Sequence, residues 1–213
     1  MANIESATSE LSDARANGLK LLHRLCMRRS TPPRHLTAPG PTDEEIQLLV
    51  RAASRAPDHQ RLKPFRFLII SSDHREALAD VFEAAERELD PSIGGERLER
   101  AREKARHAPV LVAVISRLQK SDEVPEIEQR ASAGAALGYV VLAADLLGYG
   151  AMAVSGRKVA TAAMHRAFEL ADNEKLLCFV GIGTPAKVKG DPPDPDPDLL
   201  QTWHPNAELS LYR

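Results

Sequence analysis

Three short stretches of this 213-residue chain gather side chains able to bind or move charge. The first is Arg28-Arg29-Ser30. Two guanidiniums and a hydroxyl put many donors into a small volume, a set suited to a phosphate. Basic residues in a last helical turn also complement the helix dipole, and both readings stay open. The second is Arg55-Ala56-Pro57-Asp58-His59, followed by Pro64-Phe65. A proline-stopped helix presents side chains from a fixed loop, and neither Arg55 nor His59 has an acidic partner at helix spacing. Plain loop polarity explains the pair equally well. The third is Gly148-Tyr149-Gly150-Ala151-Met152-Ala153-Val154-Ser155-Gly156. So many small residues let another surface approach the backbone, and that surface is a planar ligand or a packed helix.

Other chemistries lack their motifs. The chain has no G-x-x-x-x-G-K-[ST] phosphate loop, no H-E-x-x-H and no G-x-S-x-G. Gly148-Tyr149-Gly150 follows a helix and leads into a strand, the reverse of a dinucleotide-binding fingerprint. None of the seven histidines pairs with another at metal-ligand spacing, so no metal site is expected.

The elements that must position these residues follow from hydrophobic periodicity. Residues 1 to about 10 read as a disordered lead-in, and Leu21, Leu22, Leu25 and Cys26 mark one face of a helix over about 12–29. Pro32, Pro33, Pro39, Gly40 and Pro41 enforce an extended loop. Thr42 and Glu45 form a capping box that starts a helix ending at Pro57. Phe65–Ser71 reads as a buried strand. Asp73 and Glu76 suggest a second capping pair before a helix with the stripe Leu78, Val81, Phe82, Ala85. The segment 83–106 is dense in both charges, broken at 91–95, and reads as a solvated helical pair. Pro109–Ser116 is a second buried strand. The helix 126–147 is small and apolar on nearly every side, so it is buried in the core or in a subunit interface. A strand at 150–154, a helix at 160–170 and a strand at 176–183 follow. This order predicts an α+β domain of three layers (α/β/α), with helices flanking a small central sheet. Residues 1–15 form a flexible extension, 16–190 one domain, and 191–213 an extended tail stiffened by its Asp-Pro repeat.

Composition narrows the function classes. Hydrophobic residues make up 43% and charged residues 27%, with net charge −2, which suits a soluble globular protein without a nucleic-acid or membrane partner. Two cysteines, Cys26 and Cys178, read as small buried hydrophobes in a reducing compartment. The polar N-terminus lacks the apolar run of a signal peptide, so the expected location is the cytoplasm. Aromatic residues are only 4%, few for a protein that grips a flat ligand by stacking.

Taken in order, the motifs resemble the nitroreductase family of FMN-dependent oxidoreductases, closest to its small members. The resemblance spans about residues 21–184. It rests on Arg28-Arg29-Ser30, Pro41-Thr42, Arg55-Ala56-Pro57-Asp58-His59, Pro64-Phe65-Arg66-Phe67, Val124-Pro125, Glu128-Gln129 and Ser132-Ala133-Gly134. It continues through Gly148-Tyr149-Gly150, Ser155-Gly156 and Gly181-Ile182-Gly183-Thr184-Pro185. It implies a mostly antiparallel sheet and a homodimer with two FMN sites at the subunit interface, the helix 126–147 forming the dimer core. Arg28 and Ser30 would hold the FMN phosphate and ribityl chain, with Arg29 near the ring. Arg55 and His59 would reach the flavin from the other subunit. Ala153, Val154, Ser155 and Gly156 would line the ring, and Lys187 or Lys189 would complete the phosphate site.

The implied reaction is ping-pong: NAD(P)H reduces the flavin and leaves, then a nitroaromatic, quinone or other small acceptor is reduced on the same face. No side chain is assigned as a catalytic acid or base. Two features depart from the family. Some small members carry Trp-Arg where this chain has Ala153-Val154, and many carry Trp at the place of Phe65. These departures keep two alternatives open: a flavin-binding module without reductase turnover, and a flavoenzyme of the same fold with dehalogenase or other redox chemistry.

Overall fold

The computed structural model describes residues 2–187 and 190–203, with side chains from residue 13 onward. Its helices are α1 (Ala2–Met27), α2 (Asp43–Ala53), α3 (Arg75–Leu89), α4 (Glu96–Arg106), α5 (Glu126–Leu146) and α6 (Ala162–Ala167). Its strands are β1 (Leu36–Thr37), β2 (Phe65–Ile70), β3 (Val110–Arg117), β4 (Gly150–Val154) and β5 (Glu174–Pro185). Helix α1 extends back to Ala2, beyond the start at residue 12 that the apolar spacing suggests. The two-residue strand β1 inside the proline loop has no sequence signal of its own.

The sheet runs β1-β5-β3-β2, and β4 also pairs with β5. Every pair is antiparallel, as the resemblance implies. Strands β4 and β1 share β5 end to end: β4 takes residues 179–183 and β1 takes 184–185. Alternation along the strands gives each face its own core. Phe82, Leu111, Ile115, Met164 and Phe179 pack with α3, α4 and α6 on one face. Leu49, Val112, Val114, Val140 and Val180 pack with α2 and α5 on the other. The result is the three-layer α+β architecture that the element order predicts.

Helix α2 begins where the capping box places it. Thr42 Oγ1 accepts from Glu45 N at 3.3 Å, and Glu45 Oε2 accepts from Thr42 N at 2.8 Å. Glu45 also accepts from the Tyr149 hydroxyl at 2.8 Å, tying α2 to the end of α5. Those donors, the Thr42 amide foremost, hold the Glu45 carboxyl below the usual range, and the carboxylate in turn raises the Tyr149 hydroxyl.

The second capping pair does not form. His74 stands at the start of α3 without a side-chain cap. Glu76 instead accepts from Arg106 Nε at 2.6 Å and Nη2 at 2.7 Å. A two-point guanidinium contact outcompetes a single capping amide. Together with Arg102, which meets Asp80 at 2.5 Å and Glu83 at 3.0 Å, it forms the charged outer face of the α3–α4 pair. The inner faces of the same helices are buried through Phe82, Ala85, Leu98, Ala101 and Ala105.

The cysteines divide. Burial pushes the Cys178 thiol up to about 11, which leaves it protonated and inert. Cys26 is exposed on α1, contrary to the buried expectation. Among the described residues no helix is long and apolar enough to cross a membrane.

The ends of β2 and β5 are locked by a part-buried ion pair between half-buried Arg66 and buried Glu174. Arg66 Nε and Nη2 donate to Glu174 at 2.7 and 2.8 Å, and the Ala171 amide adds a third donor at 3.2 Å. The Arg66 hydrogen bond, more than any other contact, holds the Glu174 carboxyl below the usual carboxylate range. The pair therefore stabilises fully above the unfolded pKa, and its contribution is lost as pH falls through the lower folded value. Glu174→Gln should cost about 2 kcal/mol at neutral pH, within the range for hydrogen bonds to a charged partner. Urea unfolding should show that the gap between wild type and variant narrows once pH drops below about 4.3. A gap that stays constant into acid would show that Glu174 is not ionised in the fold.

Candidate functional site

Strand β4 is the centre of the site because one of its edges has almost no partner. Helix α5 ends in a left-handed turn at Gly148 (φ 87°), with the Tyr149 amide donating to Ala144 O at 2.9 Å. That helix stop delivers the chain into β4. On the outer edge of β4 one backbone bond closes the start: Thr31 N donates to Ala151 O at 3.1 Å. Polar groups two residues apart on a strand face the same way, so the Ala153 peptide also points outward. Pro32 and Pro33 follow Thr31 and have no N–H, so this segment cannot extend the pairing along β4. Among the described residues the Ala153 N–H and C=O have no partner on this edge.

Two recesses flank that edge. On the α5 face, Arg28, Ser30, Met152 and Ala153 line a recess of about 550 Å³ with Leu25, Tyr139 and Leu142. Arg28 and Ser30 are half-buried, and Arg28 Nη1 donates to Ser30 Oγ at 3.5 Å. On the α3–α4 face, Val154, Ser155 and Met152 line a cavity of about 390 Å³ whose floor is Phe82, Leu111 and Phe179. Four basic side chains surround it: Arg34, Lys104, His107 and Lys158. Lys158 is held by Glu86 at 2.9 Å and lies 4.8 Å from the Phe82 ring centroid. Gly156 (φ 122°) turns the chain away from β4.

Close packing brings those cations together. A Cβ on Gly183 would stand 2.5 Å from Pro109 Cδ and 3.0 Å from Thr37 O, and one on Gly181 would stand 3.0 Å from Pro33 Cγ. Glycine at both positions lets Pro33 and Pro109 settle on β5. Arg34 sits beside the first proline, and the end of α4 lies just before the second. Buried Arg75 fixes that end, donating to Ala105 O at 3.1 Å and Pro109 O at 3.3 Å. Burial lowers the proton affinity of the Arg75 guanidinium, but these carbonyls are the acceptors a cation needs at a helix C-terminus.

The structure thus joins Arg28, Ser30 and Ala153 in one recess and Val154 and Ser155 in the next. It places the other candidates elsewhere in the protomer. Arg29 turns to the tail, donating to Gly190 O at 3.1 Å and Asp191 O at 2.9 Å. Arg55 is exposed, and His59 Nδ1 stands 3.0 Å from Glu128 Oε2; neither lines the two recesses. Lys187 is exposed just beyond β5, and Lys189 lies outside the described residues. Arg34, Lys104 and His107 line the candidate cavity, and the sequence reading does not pick them out. Their only signal is positive charge, which a solvated helix face shows equally.

The nitroreductase family model matches residues 25–184. The Escherichia coli K12 protein YdjA, which carries an NAD(P)H nitroreductase name, is 31% identical over 179 residues, covering 83% of this chain and 96% of YdjA. A solved nitroreductase-like family protein from Bacillus cereus superposes with a TM-score of 0.74 at 18% identity, over 87% of this chain and 96% of that one. A Desulfovibrio desulfuricans protein solved in complex with FMN is 26% identical with a TM-score of 0.64, over 87% of this chain and 98% of its own. With its antiparallel sheet, its layers and its ordered motifs in agreement, this chain belongs to the nitroreductase family.

Proposed function

We propose that the protein is a cytoplasmic FMN-dependent oxidoreductase, working as a homodimer, that passes reducing equivalents from NAD(P)H to a small acceptor such as a nitroaromatic or quinone. The observation that carries this reading is the open edge of β4, which lies between the Arg28–Ser30 recess and the cation-rimmed cavity. The residues fit FMN. Arg28 and Ser30 offer charge-assisted and neutral donors to a phosphate and a polyol chain. The Ala153 peptide offers an unpaired donor and acceptor to the edge of a heteroaromatic ring. Arg34 and Lys104 supply positive charge beside Val154 and Ser155, and His107 adds a polar imidazole, where a ring that gains negative charge on reduction would be stabilised. Bound FMN would supply the two-electron chemistry, and the protein would bind, orient and tune it. The FMN-bound Desulfovibrio relative and the name of YdjA support the cofactor and the reductant.

Assembly as a dimer is supported by what α1 and α5 expose. Leu19, Leu21, Leu22 and Leu25 on α1, and Ile127 and Leu146 on α5, are open to solvent in one protomer. Apolar residues clustered in this way mark an interaction surface. One face of α5 is buried through Gln129, Ala133, Ala136, Val140 and Ala144, so its apolar remainder is free for a second copy. In such a dimer Arg55 and His59 of one copy would serve the flavin of the other.

A second reading draws on Ala153, whose short side chain leaves the α5-side recess broad. It allows flavin binding without turnover, or reduction of a bulkier acceptor by different chemistry such as dehalogenation. Anaerobic mixing with NADH and with NADPH separates the first alternative, because bleaching of bound flavin by either one excludes a pure binding module. An acceptor screen separates the second.

The purified protein should take up FMN and show flavin absorbance; a protein that stays colourless with added FMN would sink the proposal. Light scattering at micromolar concentration should give twice the 23.3 kDa of one chain. Arg28→Ala should weaken FMN binding by about 1.5–3 kcal/mol, the value of a charge-assisted hydrogen bond. Unchanged affinity would remove Arg28 from the phosphate site. Lys104→Ala should leave the fold intact and lower the flavin midpoint potential by on the order of 20 mV, because a cation that favours the reduced anion has gone. Potentiometric titration reads that shift, and a potential that rises would contradict the cation's role.

A further inference from the structure

We propose that Glu128 is a positioning residue for His59, fixing its imidazole as the Nδ1–H tautomer so that Nε2 is the atom presented to a ligand. This inference rests on the reading of His59 as a group that serves the flavin of the partner copy. The geometry is specific. His59 lies in the loop after α2, and Glu128 lies in the first turn of α5. The Nδ1–Oε2 distance between them is 3.0 Å. An ionised carboxylate only accepts hydrogen bonds, so the shared proton must sit on Nδ1. Free histidine prefers its proton on Nε2. In the neutral ring the contact with Glu128 therefore inverts the default and leaves the lone pair on Nε2.

The backbone around His59 shows that its placement is imposed. Gln60, Arg61 and Lys63 all have positive φ, at 59°, 55° and 49°. Three non-glycine residues in the left-handed region within four positions are rare, and such backbone persists only where its surroundings over-determine it. Here the ties are carboxylates. Asp58 Oδ2 accepts from the Lys63 amide at 2.8 Å, and Gln60 Nε2 donates to Glu123. Glu123 and Glu128 belong to the same segment, so the loop is bound to the start of α5 at two points. Both His59 and Glu128 are about half exposed, at 55% and 49%. A side-chain hydrogen bond that exposed adds little to stability. Its consequence is orientation.

The test uses the full chain, with and without FMN. Long-range 1H–15N spectra of the imidazole, assigned with His59→Gln, should show the Nδ1–H pattern in the wild type. Glu128→Ala should return His59 to the Nε2–H pattern and raise the FMN Kd by about tenfold, the loss of one oriented hydrogen bond. Glu128→Gln, whose amide oxygen still accepts from Nδ1, should keep both the wild-type pattern and the wild-type affinity. An Nδ1–H pattern that survives in Glu128→Ala, or an FMN affinity equally unmoved by both variants, would overturn the proposal. A wild type that binds no FMN would count against the flavin reading alone, since the imidazole spectra of the same chain still decide the role of Glu128.

Discussion

The edge of β4 has to remain unpaired, and much of the surrounding structure serves that constraint. A bare strand edge is a template for another strand. This one is closed at its start by the single bond from Thr31 to Ala151, and Pro32 and Pro33 forbid the next. At its end Gly156 turns the chain away with φ 122°. The open stretch is thereby cut to about one peptide, that of Ala153. One peptide is too short to seed strand addition, yet it is enough to offer a donor and an acceptor to the rim of a planar heterocycle. The same proline pair that blocks strand addition packs on Gly181 and carries Arg34 to the cavity beside it.

Placement of charge around that edge is a matter of backbone packing more than of side-chain reach. Arg34, Lys104, His107 and Lys158 come from three separate parts of the chain, and the three charged side chains among them repel one another. Lys158 is neutralised by Glu86 at 2.9 Å, and His107 Nε2 stands 3.8 Å from Glu103 Oε1. The others are held by the elements that carry them. Arg75 grips the carbonyls of Ala105 and Pro109, and Pro109 is seated against Gly183. A cation cluster held this way is poised for a negative partner, because its repulsion is relieved only when one binds.

Much of this could be read from the residues in order. The capping box at Thr42, the break at 91–95 and the strands over Phe65, Val110 and Val154 are local patterns, and local patterns survive tertiary context. What escaped is decided by contacts between distant segments. Strand β1 exists because the end of β5 lies beside Leu36. Glu76 abandons its cap because Arg106, on the next helix, offers two donors. Arg29 looks equivalent to Arg28 in sequence, but the tail at Gly190 and Asp191 claims it. The charged helix α4 reads as solvated, and most of it is; that Lys104 and His107 face the cavity depends on how Arg75 pins its last turn.

The low aromatic content acquires a physical meaning in this fold. Phe82, Phe168 and Phe179 stack with one another inside the α3–α6 layer, with centroids 5.3 and 5.6 Å apart, and Phe65 and Phe67 pair on the opposite face. Beside the open edge of β4, Tyr139 lines the α5-side recess, while Phe82 and Phe179, engaged with each other, form the floor of the other cavity. A planar ligand bound there would be held mainly by peptide dipoles along its rim and by positive charge at its ends. Dipoles and charges select for where a molecule carries its polar atoms, whereas stacking rings would select for its width. Under the proposed function, a site built in this way would tolerate acceptors of varied size and discriminate among them by charge. Small Ala153, standing where a bulky residue would narrow the recess, pushes the balance further in the same direction.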